Sequence, residues 1–284
     1  MKFFFLFKGY SINDPDPEMW EKFNNVVQNN FFDSIRKKQQ KLFQEAGIDY
    51  PEYDTNILMS PYLNIYAYPK ELDFDLIVPL PENCFRLDAF SRELPESSKT
   101  DFVIPDNFLN REKGVGLIYL SMGSMGGFDI ELMQRLVSFI SDSRHKFIVV
   151  KGARGDEYEI NSENIISGNF LPQTAILPKC DLVITHGGNN STTESFFAGK
   201  PMIVLPLFAD QYDNAQRVQD CNFGVRFNPY TVTKQEFNDA IEQLVTDEDV
   251  KIRLDLAIKR MKNDNLKEKL AQRLEQIADE NSKK

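Results

Sequence analysis

The chain is poor in the residues that build reactive or metal-binding centres. Its 284 residues include two histidines, three cysteines and one tryptophan. Cys84, Cys180 and Cys221 lie far apart, with no Cys-x-x-Cys pair and no Cys/His cluster. That spacing argues against a disulfide framework and against a zinc site, so no metal is expected. Three reduced thiols fit a cytoplasmic setting. Positive charge is scarce too: 33 Lys and Arg against 43 Asp and Glu leave a formal net charge of −10. A phosphate backbone is repelled by such a surface, so no nucleic-acid partner is expected. Long apolar runs are also missing. The opening "MKFFFLFKGY" holds five apolar residues between Lys2 and Lys8. A secretory signal needs about 7–15, and a membrane-spanning helix about 20. The chain is expected to be soluble, without a transmembrane segment.

What is present is apolar bulk. Hydrophobic residues make up 42% of the chain, with 23 Phe and 10 Tyr. That is enough for one large domain or two smaller ones. Residues 1–60 are aromatic and amphipathic. Trp20, Phe23, Val26 and Val27, then Phe31, Ile35 and Leu42, recur at helical spacings, and Gly47 reads as a stop. "YLNIYAY" (62–68) reads as a strand, and a further strand is placed at "NCFRLDAF". Around them, Pro69, Pro79, Pro81, Pro95 and Pro105 mark an irregular connection.

From residue 115 the rhythm becomes regular. Apolar strands "VGLIYLS", "KFIVVKG", "ENIISGNFL", "DLVIT" and "PMIVLPLF" alternate with helices "FDIELMQRLVSFISDS", "NNSTTESFFAG", "DQYDNAQRVQDCN" and "TKQEFNDAIEQLVTD". The tail, 247–282, reads as one charged helix. Strands apolar throughout are buried on both faces, and their alternation with helices predicts an α/β fold with a doubly wound parallel sheet. A ligand of such a sheet lies outside the carboxyl ends of the strands.

The loops at those ends carry the chemistry. "SMGSMGG" (121–127) reads as a tight loop that allows close backbone approach; an ordinary strand–helix turn reads the same way. "HGGNNSTTE" (186–194) is more telling. Gly187 and Gly188 fold the backbone into a helix whose first amides are unpaired and favour an anion such as a diphosphate. His186 can add a hydrogen bond, or a charge if protonated. Asn190 and Ser191 sit in the first turn, and Glu194 lies one turn deeper, where a carboxylate suits a ribose diol. The alternative is an Asn/Ser helix cap. After "IVLPLF", Asp210 and Gln211 form a carboxylate–amide pair fit to read sugar hydroxyls, and capping of the next helix is the alternative. His145, at a helix-to-strand turn on the opposite edge of the sheet, is expected to be an ordinary surface residue.

"FLPQTAILPKCDLVITHGGNNSTTESFFAGKPMIVLPLFADQYDNAQRV" (170–218) resembles the signature of the UDP-glycosyltransferases, the family of UDP-glucuronosyltransferases and UDP-glucosyltransferases. "LIYLSMGSM" (117–125) resembles the first strand and loop of that family's donor half, and weaker similarity extends through 20–110 and to the C-terminus. The "THGG" and "DQ" forms are closer to animal members, arthropod detoxifying enzymes among them. The resemblance implies the GT-B architecture, two Rossmann-like domains flanking a cleft, with the C-terminal domain binding UDP-sugar. Here it implies residues 1–108 as the remnant of the acceptor domain plus linker, 109–262 as the complete donor domain and 263–284 as a C-terminal helix.

Site roles follow from the same resemblance. Gln173 would hold the uracil, with Phe170 where members often carry Trp. Glu194 would take the ribose. Ser124, His186, Gly188, Asn190 and Ser191 would surround the diphosphate, and Asp210 and Gln211 the sugar. The implied reaction passes a hexose, with glucose expected, from UDP-sugar to a hydroxyl of a small lipophilic acceptor. It proceeds with inversion and without metal or cofactor. The family's general base is a histidine of the N-terminal domain. No histidine precedes His145 here. The chain therefore reads as a shortened member, and the alternative is a catalytically inactive UDP-sugar-binding module. A partly uncovered domain would also be prone to self-association.

Overall fold

The continuous apolar runs become the interior strands of one sheet. The computed structural model describes residues 33–50, 59–73, 80–88 and 102–282. The helical positions Trp20, Phe23, Val26, Val27 and Phe31 lie outside the described residues, as do most of the connection at 74–79 and 89–101.

Six parallel strands form the main sheet: β3 (Leu117–Ser121), β4 (Lys146–Val150), β5 (Ile165–Gly168), β6 (Leu182–Thr185), β7 (Met202–Val204) and β8 (Gly224–Arg226). A separate parallel pair, β1 (Asn64–Ala67) and β2 (Cys84–Leu87), aligns Asn64 with Cys84 and Ala67 with Leu87. The order of the main sheet is β5-β4-β3-β6-β7-β8. Strand direction of travel therefore reverses between β3 and β6, which open a crevice at their carboxyl ends. Every residue of β3, β6 and β7 is buried. Their side chains are apolar along most of their length, as burial on both faces requires, and the polar Ser121 and Thr185 stand at the carboxyl ends, where their hydroxyls accept from the Gly123 and Gly187 amides.

The helices are α1 (Asp33–Glu45), α2 (Ile130–Ile140), α3 (Asn189–Phe197), α4 (Gln211–Asp220), α5 (Lys234–Thr246), α6 (Glu248–Asn263) and α7 (Leu266–Asn281), with short helical turns elsewhere. On α2, Leu132, Met133, Leu136 and Ile140 fall on one face and are buried. Each such side chain contributes about 1.5–3 kcal/mol. The helix is started by Asp129, whose carboxylate accepts from the Leu132 amide at 3.0 Å. Gly47 (φ 67°) and Gly199 (φ 70°) end α1 and α3 in the left-handed conformation, as expected of them.

Three expectations need correction. The strand β8 has no apolar run to announce it. It is fixed by Gly224, where a Cβ would lie 1.9 Å from the Met202 carbonyl oxygen, so only glycine lets the chain approach β7. The tail is two helices, broken at Asp264, whose backbone is extended (φ −80°, ψ 122°). There the Asp264 carboxylate accepts from the Arg260 guanidinium at 2.8 Å. His145 is not at the surface: it is 1% exposed. Its Nδ1 accepts from the Gly116 amide at 2.9 Å, and its Nε2 lies 3.0 Å from Glu242 Oε1. The amide entering β3 needs an acceptor, and a neutral imidazole supplies it. Its placement at the edge away from the crevice is as expected.

The N-terminal segments are fastened to the main sheet by arginines. Arg217 of α4 donates to the Leu72 carbonyl at 2.8 Å and the Asp73 carbonyl at 3.2 Å. Arg260 of α6 pairs with both Glu71 and Asp88. Nearer the crevice, Asn189 Nδ2 donates to the Ala67 carbonyl at 3.3 Å. Among the described residues, no helix is long and apolar enough to cross a membrane.

Candidate functional site

The crevice floor is made where two glycine turns close on one imidazole. Past β3, Gly123 adopts φ 69°, and a Cβ there would lie 2.5 Å from His186 Cε1. Past β6, a Cβ on Gly188 would lie 2.6 Å from His186 Nε2. Both positions therefore need glycine. The expected tight loop at 122–127 is in fact a helical turn, Gly123–Gly126, in which Ser124 is exposed to solvent. Burial pushes the His186 pKa down, and a hydrogen bond to the Ser121 carbonyl only partly opposes this. The ring is therefore neutral at pH 7. It brings no cation, and its one ring N–H is given to the Ser121 carbonyl.

The helix start is where it was expected. Gly188 is the N-cap of α3 and supplies no side-chain cap. The amides of Asn190 and Ser191, in the first turn, have no intrahelical acceptor and face the crevice side with the positive end of the helix. The Asn189 amide already has one: Asp210 Oδ2 at 3.2 Å. Asp210 also accepts from Asn214 Nδ2 at 3.2 Å, while the same Asn214 group donates to the Gly187 carbonyl at 2.7 Å. Burial pushes the Asp210 carboxyl above the usual range, and these donors partly hold it down. Asp210 itself makes no side-chain cap on α4.

One turn deeper, Glu194 Oε2 accepts from Gln173 Nε2 at 2.6 Å. Two residues 21 positions apart, singled out for different parts of one ligand, thus meet directly. Phe170 stands apart from this cluster, 75% exposed beyond β5. Gln211 is at the crevice wall but only 3% exposed. Its Oε1 accepts from the Leu207 and Phe208 amides at 2.9 and 3.2 Å. Sequence reasoning missed Asn189 and Asn214. The i, i+4 spacing of Asp210 and Asn214 on a helix was the available signal for the second. Among the described residues, no group of three His, Cys, Asp or Glu side chains could hold a metal ion.

A doubly wound parallel sheet with two glycine turns closing on an imidazole at its switch point, and a carboxylate one helical turn beyond, is the place where folds of this class seat a ligand. Residues 100–268 match the family described as UDP-glucoronosyl and UDP-glucosyl transferase, and the chain belongs to that family. Among its relatives, UDP-glucuronosyltransferase 1A6 of Oryctolagus cuniculus is 27% identical over 191 residues, which are 66% of this chain and 33% of that protein. The uncharacterized UDP-glucosyltransferase YdhE of Bacillus subtilis is 31% identical over 154 residues, 54% of this chain and 36% of that protein. The chain thus spans about a third of the length of these relatives. The solved glycosyltransferase of kitacinnamycin superposes with a TM-score of 0.70 at 21% identity, covering 86% of this chain and 63% of that one. VinC in complex with dTDP superposes with a TM-score of 0.65 at 16% identity, covering 93% and 64%. At these identities the superpositions establish the shared GT-B fold.

Proposed function

We propose that the chain binds a UDP-sugar in the crevice between β3 and β6 and serves its transfer to a hydroxyl acceptor. Residues 109–262 would form the donor-binding unit. The observation that carries this reading is the β6–α3 junction: neutral His186 wedged between Gly123 and Gly188, with Glu194 tied to Gln173 one turn inside. In this reading the α3 amides and His186 hold the diphosphate, and Ser124, Asn190 and Ser191 line its path. Glu194 takes the ribose diol, which displaces or shares the Gln173 amide, and Gln173 with Phe170 borders the uracil. Asp210 faces the sugar. Glucose as the sugar, a small lipophilic acceptor and inversion at the anomeric carbon belong to the same proposal.

Chemically, the cradle stabilises charge growing on the departing diphosphate with fixed dipoles already in place. The neutral His186 ring gives its one N–H to the Ser121 carbonyl, so it would donate to the diphosphate only by taking up a proton as that anion arrives. The test is Glu194→Ala. UDP affinity should weaken by about 1–3 kcal/mol, the cost of losing hydrogen bonds to a charged acceptor. Calorimetry that finds UDP bound equally well by both proteins refutes the ribose role.

The second reading, donor binding without transfer, turns on the two histidines of this chain. His145 is consumed in fixing Gly116, and His186 lies in the donor cradle. Release of glucose from UDP-glucose, or its transfer to a simple phenol, separates the two.

A further inference from the structure

The outer face of α6 carries an apolar pair that its own chain leaves uncovered. We propose that this face packs antiparallel against the same face of a second copy, so that the chain forms a two-fold dimer through α6. The inference is independent of the donor-binding reading.

The helix is held in place without such a partner. Its inner face, Val250, Leu254, Ala257 and Met261, is buried. The Asp247 carboxylate caps its start, accepting from the Val250 amide at 2.9 Å. The outer face repeats the same three- and four-residue spacing with Asp249, Ile252, Leu256, Lys259 and Asn263. From Asp249 to Lys259 these side chains fall within roughly a quarter of the helix circumference, at about 3.6 residues per turn. Ile252 is 56% exposed and Leu256 61%. A single exposed aliphatic residue is ordinary on a protein surface. Here two sit one turn apart, at the centre of a seam with the spacing of paired helices.

Charge selects the partner and its direction. Asp249 lies in the first turn of α6, and Lys259 lies near its end. Among the described residues, neither forms a salt bridge. A second α6 can be turned end for end about an axis midway between Ile252 and Leu256. Ile252 then lies against Leu256 of the second copy, and Leu256 against its Ile252. Asp249, three residues before Ile252, meets Lys259 of the second copy, three residues after its Leu256. Each contact is made twice, as a two-fold interface demands. A parallel pair would instead set Asp249 against Asp249 and Lys259 against Lys259, which like-charge repulsion disfavours. One helix pair buries less than the roughly 1,200–2,000 Å² of a standard interface, so the dimer is weak and forms at high protein concentration.

Sedimentation of the full chain over a concentration series tests this. The wild type should pass from monomer towards dimer as concentration rises. Ile252→Gln and Leu256→Gln leave the inner face and the cap untouched, and each should weaken the dimer at least about tenfold. Asp249→Lys and Lys259→Asp each place like charges together. Either protein alone should be monomeric at a concentration where the wild type is half dimer. An equimolar mixture of the two restores opposite charges at both ends of the seam and should form dimers again. A folding defect in either variant gives no such recovery. A wild-type chain that stays monomeric up to about 1 mM overturns the proposal. So does a dimer that both glutamine variants form as readily as the wild type, because self-association then uses another face. A mixture that remains monomeric overturns the antiparallel register.

Discussion

Substituting Gly123 by alanine perturbs the crevice without removing any polar group. The new Cβ would lie 2.5 Å from His186 Cε1, 2.7 Å from Nε2 and 3.0 Å from Nδ1. It would also have to be carried at φ 69°. Holding an L-residue there costs about 1–2 kcal/mol. Relieving the overlap in a packed site costs about 1–3 kcal/mol more. Together these effects are about 2–5 kcal/mol, a sizeable part of the roughly 5–15 kcal/mol that stabilises a typical domain. Some of the strain will be released by pushing the imidazole out between Gly123 and Gly188, which ruins the cradle. The expected outcome is a melting temperature lower by roughly 4–20 °C, at about 2–4 °C per kcal/mol for a unit of this size. UDP affinity should fall at least about tenfold, the equivalent of 1.4 kcal/mol. Thermal unfolding and calorimetric titration measure both. If the alanine protein melts within a degree of the wild type and binds UDP as well, His186 is not wedged where the structure puts it.

Other perturbations address the frame around the site. Arg260→Ala leaves the carboxylates of Glu71, Asp88 and Asp264 facing one another without their shared cation. Because Arg260 is 22% exposed, water and salt soften the loss, and about 1–3 kcal/mol is expected in urea unfolding, shrinking as salt is raised. An unchanged unfolding midpoint removes this cluster as the fastener of the N-terminal segment. His145 gives a pH dependence. Burial lowers its pKa in the folded protein, against the pull of Glu242. The folded state therefore binds fewer protons than the unfolded chain, whose histidine titrates near about 6.5. Stability is full above that pH and is lost as pH falls below it. His186, lowered in the same direction, adds to the slope. Replacing His145 by leucine should flatten part of the acid-side loss in urea midpoints while lowering stability at neutral pH. A slope equal to the wild type's would show that His145 is not the acid-sensitive group.

The fold was legible where burial is two-sided. Strands such as "LIYL" and "LVI" contain side chains that can face apolar layers on both sides, and that reading leads directly to a parallel sheet and its switch point. The β6–α3 junction was legible for a related reason: His186, Gly187, Gly188 and Glu194 lie on one short stretch, so sequence spacing sets their spatial spacing, whereas the approach of Gly123 to the same ring depends on the fold. What could not be read depends on contacts made by distant segments. The burial of His145 follows from Gly116 and Glu242, 29 and 97 positions away. The break at Asp264 occurs beside Arg260, which reaches residues 189 and 172 positions earlier. The three-residue strand β8 has no periodicity to detect and is identified by the contact of Gly224 with β7. The orientation of Gln211 was hidden as well, because "DQ" reads the same whether the amide faces a sugar or its own loop.

The central claim is that the β3–β6 crevice is a uridine diphosphate site. It is tested most directly by calorimetric titration of the wild-type chain with UDP, with ADP as the control. Saturable binding of one UDP per chain, much tighter than ADP, is the expected result. Absence of UDP binding, or equal affinity for both nucleotides, would contradict the account.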